Sequence, residues 1–300
     1  MKPAPFAYER PPDLGRAVRL LADGAGEARA LAGGQSLVPL MNLRLVQPRL
    51  VVDLSAVEEL KRASEEDGRI VIGAMCTHAA IEDGHARLGE ASRLGVAFGG
   101  ARAGEARAGG TNAMLRLVAG GIGYRGIRNR GTIGGSVAHA DPSADWPAAL
   151  TALGAEAVIE GSRGRRVVPL ESLVLGGFTT ALESGEILVA FRIPKLSSGA
   201  RWRYLKLCRK TGEFAHAIAA VVLDPARAFA RVVVGAAGGA PILLPALAQR
   251  LAAPDGRSFA DRFGAGEAAA ALKDLAAGLD PVDLRIHAAL LGRAIKGAFS

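Results

Sequence analysis

An α+β protein of more than one domain is what this sequence predicts, and three observations predict it. At 300 residues the chain is long for a single hydrophobic core. A small β–α–β-like unit, with a glycine turn between strand and helix, fills the chain up to about residue 60. From near residue 178 a run of strands gives way to three helical tracts, the order of a separate α+β unit.

Taken in order, Asp13 caps a helix whose apolar positions Leu14, Val18 and Leu21 recur at helical spacing, and Gly24 and Gly26 end it. Ala28 to Ala32 reads as a strand. It leads into Ala30-Leu31-Ala32-Gly33-Gly34-Gln35-Ser36-Leu37, the stretch around which the chain is organised. Adjacent glycines let a backbone take positive φ and approach a ligand, and Ser36 can cap the helix read over Leu37 to Leu45. Free N–H groups at a helix start attract an anion, so this is a candidate cradle for a phosphate-bearing cofactor; a plain tight turn is the alternative. Pro48 breaks the pattern, Leu50 to Leu54 and Arg69 to Ala74 read as strands, and Thr77 caps a short helix through Ile81. Residues 95–111, dominated by Gly, Ala and Arg, follow neither apolar period and read as irregular; a helical turn resumes from Met114 to Val118.

Gly121-Ile122-Gly123-Tyr124-Arg125-Gly126 has the G-x-G-x-x-G spacing, but no strand is read before it and no convincing helix after it, so it is set aside. The stronger signal is the second glycine pair, in Arg128-Asn129-Arg130-Gly131-Thr132-Ile133-Gly134-Gly135-Ser136. Backbone N–H groups, the hydroxyls of Thr132 and Ser136 and the approaching Arg128 and Arg130 are what a pyrophosphate needs. A tight turn with solvated arginines is again the alternative. Asp145 either caps the helix through Leu153 or takes a sugar or ribityl hydroxyl. Ala157 to Ile159 and Arg166 to Val168 flank a turn at 161–164 as a hairpin. Glu186 to Ile193, Trp202 to Arg209, Ala217 to Leu223 and Phe229 to Val234 read as strands. Leu243 to Leu251, Glu267 to Ala277 and Asp283 to Phe299 read as helices.

Composition narrows the function classes. Half the residues are hydrophobic and 22% are charged, as in soluble globular chains. The net charge of +8 carries no basic run with interleaved aromatics and no zinc-finger or helix-turn-helix spacing, which argues against a nucleic-acid-binding module. Cys76 and Cys208 are the only cysteines and read as core thiols, too few for an iron–sulfur cluster, which takes about four thiolates. No His/Cys/carboxylate set has metal-ligand spacing, so no metal is expected on this chain. His139 reads as a hydrogen-bonding residue, ahead of a flavin attachment point or a base. No apolar N-terminal stretch and no run near ~20 apolar residues is present, and a cytoplasmic protein without a membrane span is expected.

The segments Ala-Gly-Gly-Gln-Ser-Leu at 32–37, Arg-Asn-Arg-Gly-Thr-Ile-Gly-Gly-Ser at 128–136 and His-Ala-Asp-Pro-Ser-Ala-Asp at 139–145 resemble the FAD-binding medium subunit of molybdenum hydroxylases. That family includes carbon monoxide dehydrogenase and bacterial xanthine-dehydrogenase-like enzymes. Tyr204-Leu205-Lys206 through Glu213-Phe214-Ala215 resembles the start of its C-terminal domain. The chain departs from the family pattern at 95–111 and lacks a tyrosine within 284–288.

The resemblance implies a two-subdomain FAD-binding domain of the PCMH/vanillyl-alcohol-oxidase type (1–60 and 61–177), then a CO-dehydrogenase-flavoprotein-like C-terminal α+β domain (178–300) of antiparallel sheet and helical bundle. It implies that Ala30, Leu31, Ala32, Gly33, Gly34, Gln35, Ser36 and Leu37, with Thr132, Ile133, Gly134, Gly135 and Ser136, wrap the FAD pyrophosphate non-covalently. Asp145 sits by the ribityl or adenosine hydroxyls, and Ile122, Leu188 and Lys206 contact FAD. Tyr204 is either a ring-shielding aromatic or an ordinary strand residue. No catalytic side chain on this subunit is implied. The implied partners are a molybdopterin-binding large subunit and a 2Fe–2S small subunit, which carry the other cofactors, in a dimer of heterotrimers. Electrons would pass from the 2Fe–2S partner through FAD to an external acceptor. A self-sufficient flavin-dependent oxidase is the alternative function.

Overall fold

The computed structural model describes residues 2–84, 87–88, 110–273 and 278–300. β1 (Ala7–Glu9) is followed by α1 (Leu14–Asp23), where Asp13 accepts the N–H of Arg16 and Leu14, Ala17, Val18 and Leu21 form the buried stripe. Next come β2 (Ala28–Leu31), α2 (Leu37–Asn42) and β3 (Leu50–Asp53). The three strands make a parallel sheet in the order β1–β3–β2. α2 stops short of the expected Leu45 because Arg44 takes φ of +57° and turns the chain out of the helix. β1 is a strand that the residue pattern did not predict. Its side chains are exposed on the sheet edge, so no apolar alternation marks it.

The middle of the chain runs β4 (Arg62–Glu66), β5 (Arg69–Gly73), α3 (His78–Asp83), β6 (Arg87–Leu88), α4 (Gly110–Gly120), α5 (Arg125–Arg128), α6 (Ile133–His139) and α7 (Asp145–Ala152). β7 (Glu156–Gly161) and β8 (Gly164–Pro169) form the expected hairpin, and α8 (Leu170–Leu173), β9 (Val174–Gly176), β10 (Thr179–Thr180) and β11 (Ile187–Pro194) follow. The irregular segment expected at 95–111 lies outside the described residues up to 109, and Gly110 and Thr111 open α4. α4 extends well beyond the single turn expected at Met114 to Val118.

The central sheet has six strands in the order β6–β4–β5–β11–β7–β8. β11 lies inside it, antiparallel to both β5 and β7, so the boundary expected near residue 178 falls before a strand that belongs to the middle sheet. β11 is buried on both faces. Ile187 and Val189 face α1 and the first sheet, whereas Leu188, Phe191 and Ile193 face the helices on the other side.

The last part comprises β12 (Arg201–Leu207), β13 (Ala217–Asp224), β14 (Phe229–Gly235), β15 (Ile242–Leu243), α9 (Pro245–Ala252), α10 (Gly256–Arg262), α11 (Ala265–Leu272) and α12 (Pro281–Phe299). The four strands form an antiparallel sheet in chain order. β13 is buried at every position, because both faces of the sheet are covered. Ile218, Ala220 and Val222 pack with α4, α6 and α7, and Ala219, Val221 and Leu223 pack under α9 to α12. α11 ends before residues 274–277, which lie outside the described residues.

The molecule is thus a stack: small parallel sheet, α1, central sheet, a helical layer holding α4, α6 and α7, antiparallel sheet, C-terminal helices. The second glycine turn lies in the helical layer, enclosed by two sheets. Phe191 anchors that layer with no exposed surface. Phe191→Ala is expected to cost about 3–5 kcal/mol, read as a lower midpoint in urea unfolding at unchanged m-value.

Candidate functional site

The two glycine turns meet. A Cβ placed on Gly33 would lie 2.0 Å from the carbonyl oxygen of Arg130 and 2.8 Å from Cα of Gly131. One placed on Gly135 would lie 3.2 Å from Cβ of Ala32 and 2.8 Å from Oγ1 of Thr132. The first turn therefore rests directly on the backbone of the second, and the absence of side chains is what lets them close. Of the four motif glycines only Gly34 has positive φ, at +74°. Gly33, Gly134 and Gly135 serve close approach instead. Gly134 sits in the first turn of α6, where a Cβ would meet that of Ala74 at 2.4 Å.

The hydrogen bonds divide the labour between the turns. Ile133 N–H donates to Cys76 O (3.0 Å), Gly134 N–H to Ala74 O (2.8 Å), and Gly135 N–H to the capping Oγ1 of Thr132 (3.1 Å). His78 N–H donates back to Gly131 O at 2.9 Å, beside the bridge between Thr77 and Thr132. The donors at the start of α6, expected to bind a phosphate, are consumed in the fold. Around the first turn the N–H groups of Gly33, Gly34, Gln35 and Ser36 have no partner among the described residues. Four successive donors without a partner are an arrangement that can receive an anion. Ser36 does not cap α2 through its side chain; it occupies the cap position with φ of −113° and ψ of −51°.

The two arginines on the approach differ. Arg128 is committed: Nε and Nη2 donate to Glu82 at 2.7 and 3.2 Å, and Nη1 donates to the carbonyls of Gly123 (2.9 Å) and Ile122 (3.3 Å). It is a structural clamp rather than a ligand for phosphate. Arg130 is exposed and makes no ion pair among the described residues, while its own carbonyl backs Gly33. An exposed guanidinium without an ion pair is free to meet an anion.

A second cluster lies where α7 meets β12. Tyr204 Oη donates to Asp145 Oδ1 at 2.7 Å, and Lys206 Nζ donates to Asp145 Oδ2 at 2.8 Å and to Gly121 O at 3.2 Å. Asp145 is 4% exposed and Tyr204 7%. Burial pushes the Asp145 carboxyl up, and the Lys206 ammonium opposes that rise. Burial, then the adjacent carboxylate, hold the Tyr204 phenol well above its usual value. Asp145 does not cap α7, since Ala144 holds that position.

The other expected site residues occupy both surface and core positions. Ala30 and Leu31 end β2, and Ala32 and Leu37 flank the cradle. Ser136 is half-buried on α6, and Ile133 is fully enclosed. Ile122 lies in the turn clamped by Arg128. Leu188 is 5% exposed in the core beneath α6. His139 packs against Phe178 with the rings tilted by 57° and their centroids 5.1 Å apart. Cys76 is buried and its thiol is pushed up to about 12 by burial, whereas Cys208 is only partly covered. The G-x-G-x-x-G stretch follows α4 rather than a strand. Among the described residues no His/Cys/Asp/Glu group is placed to hold a metal, and no helix is long and apolar enough to cross a membrane.

Sequence reasoning passed over His78. It is 4% exposed, and its Nδ1 accepts the N–H of Trp146 at 3.1 Å. Trp is a donor only, so His78 is the neutral Nε2–H tautomer. Burial, with Arg128 adding to it, lowers its pKa to about 4.

The sequence matches the family described as the FAD binding domain in molybdopterin dehydrogenase over residues 4–196. It is 38% identical over 229 residues to the carbon monoxide dehydrogenase medium chain of Hydrogenophaga pseudoflava, covering 74% of this chain and 70% of that one. It is 35% identical over 241 residues to the 6-hydroxypseudooxynicotine dehydrogenase complex subunit alpha of Paenarthrobacter nicotinovorans, covering 80% and 74%. The fold superimposes on a chain of the reconstituted CO dehydrogenase from Oligotropha carboxidovorans with a TM-score of 0.83 and 30% identity, over 100% of this chain and 99% of that one. A chain of quinoline 2-oxidoreductase from Pseudomonas putida 86 aligns with a TM-score of 0.78 and 30% identity, over the whole of both.

The neutral state of His78 sets a pH dependence. Unfolded, the imidazole takes up a proton near pH 6.5; folded, it does so only near 4. The unfolded state therefore binds more protons in that window, and the stability His78 confers is complete above pH 6.5 and lost as pH falls toward 4. His78→Asn keeps an acceptor but cannot titrate. Its stability relative to wild type, from urea unfolding, is expected to shift by about 2 kcal/mol in the variant's favour between pH 7.5 and pH 5. A difference that stays constant with pH contradicts a neutral buried His78.

Proposed function

Because this chain belongs to the family of the FAD binding domain in molybdopterin dehydrogenase, we propose that it is the FAD-binding electron-transfer subunit of a molybdenum-containing hydroxylase or dehydrogenase. The observation that carries this reading is the meeting of the two glycine turns behind one row of four unpartnered N–H groups at residues 33–36. A diphosphate fits that row, with Arg130 as its counter-charge.

FAD, when bound, supplies the chemistry that joins single-electron and two-electron transfer. The chain's own residues hold and orient it. Residues 30–37 line the diphosphate, and residues 132–136 support them from behind, contributing fixed shape. Asp145 is held by Tyr204 and Lys206, and its carboxylate oxygens retain lone pairs for a ribityl or sugar hydroxyl. Ile122 and Leu188 supply apolar contact. Attachment is non-covalent, and no side chain acts as acid or base in the electron transfer.

Substrate oxidation takes place on a partner subunit. Two cysteines cannot hold an iron–sulfur cluster, which needs about four thiolates, so a 2Fe–2S small subunit delivers the electrons and a molybdopterin-binding large subunit oxidises the substrate. The relatives named medium chain and complex subunit support an assembly of several chains. We assign a cytoplasmic dimer of heterotrimers that passes electrons to an external acceptor.

The purified chain is expected to be yellow and to release FAD on denaturation; a colourless protein with no affinity for FAD contradicts the proposal. Arg130→Ala is expected to raise the Kd for FAD by about three- to tenfold, and added salt to narrow that difference. Substrate-dependent flavin bleaching without partner chains would favour the self-sufficient oxidase instead.

A further inference from the structure

One buried titratable side chain stands between the two halves of the site with no part in the reading above. We propose that His78 is a positioning residue for FAD binding, one that references the cradle and the Asp145 cluster to a single imidazole; the proposal rests on the FAD reading. On one side the ring lies close against the second glycine turn. A Cβ on Gly131 would lie 2.9 Å from its Nε2 and Cδ2, and the His78 N–H donates to Gly131 O at 2.9 Å. Gly131 in turn backs Gly33 of the cradle. On the other side Nδ1 accepts the Trp146 N–H at 3.1 Å, fixing a fully buried indole in the first turn of α7. The residue before Trp146 is Asp145, whose carboxylate meets Tyr204 and Lys206. Movement of the imidazole therefore displaces both the floor of the diphosphate cradle and the carboxylate placed for a hydroxyl.

The polarity of His78 is the feature in use. An apolar side chain of its size would fill the space without the cost of burying a polar ring, but would leave the Trp146 N–H unpaired. Asn places an acceptor close to the position of Nδ1, so it separates hydrogen bonding from volume.

The test measures FAD affinity of the flavin-stripped full chain at pH 7.5, alongside thermal unfolding. His78→Ala is expected to raise the Kd for FAD about tenfold, a loss set by one broken buried hydrogen bond, and His78→Asn to stay within about threefold of wild type. In a Trp146→Phe background, His78→Ala is expected to add less than about twofold, because the bond is already gone. Equal losses for Ala and Asn, additive losses in the double variant, or a lowered Tm with unchanged Kd overturn the proposal. A wild type that binds no FAD overturns the reading beneath it and is distinguishable by that result alone.

Discussion

The contact of Gly33 with the backbone of Arg130 and Gly131 is the constraint on which the rest of the structure depends. Two loops nearly a hundred residues apart in sequence touch there with no side chain between them. Backbone packed on backbone permits no compromise, because neither surface can move aside by changing rotamer. The second loop can bear that contact because it is held from its far side. The strip from Ala74 to His78 exchanges hydrogen bonds with Gly131, Ile133 and Gly134, and that strip continues from β5 of the central sheet. The floor of the cradle is therefore an extension of the central sheet, and the four unpartnered N–H groups belong to the turn that rests on it.

This arrangement divides the backbone donors unevenly between the glycine pairs. Both read as turns with spare donors. In the second turn Ile133 and Gly134 donate to residues 76 and 74, Gly135 donates to Oγ1 of Thr132, and the small glycines permit that junction. Only the first pair retains donors for a ligand. The arginines divide similarly: Arg128 is spent on Glu82 and two carbonyls, leaving Arg130 as the available cation. A buried ion pair closes the opposite side, where Lys206 offsets the burial of Asp145 across the junction of α7 with β12. Removing one partner of such a pair leaves an uncompensated charge, so it also fixes how the antiparallel sheet docks on the helical layer.

What was legible in the sequence was local. Asp13 and Thr77 cap the helices that their positions announce, because a cap is decided within four residues. β13 was legible as an unbroken apolar run, since both its faces are covered. β1 and β4 were not: one is Ala-Tyr-Glu on a sheet edge, the other Arg-Ala-Ser-Glu-Glu, and exposed strands need no alternation. The place of β11 in the central sheet was hidden for another reason, as pairing with β5 is a long-range choice that no local pattern encodes. Within the candidate site, the motifs located two loops that meet but not the fate of their donors. Glu82 and His78 left no mark beyond an ordinary short helix, although one consumes Arg128 and the other secures Trp146.

Amide hydrogen exchange tests the central claim most directly, because it reads individual donors with and without FAD. The account predicts that Gly33, Gly34, Gln35 and Ser36 exchange fast in the flavin-stripped protein and become protected when FAD is added, while Ile133 and Gly134 are slow in both states. Amides at 33–36 that stay fast in the presence of saturating FAD, or protection that appears only at 133–134, would contradict it.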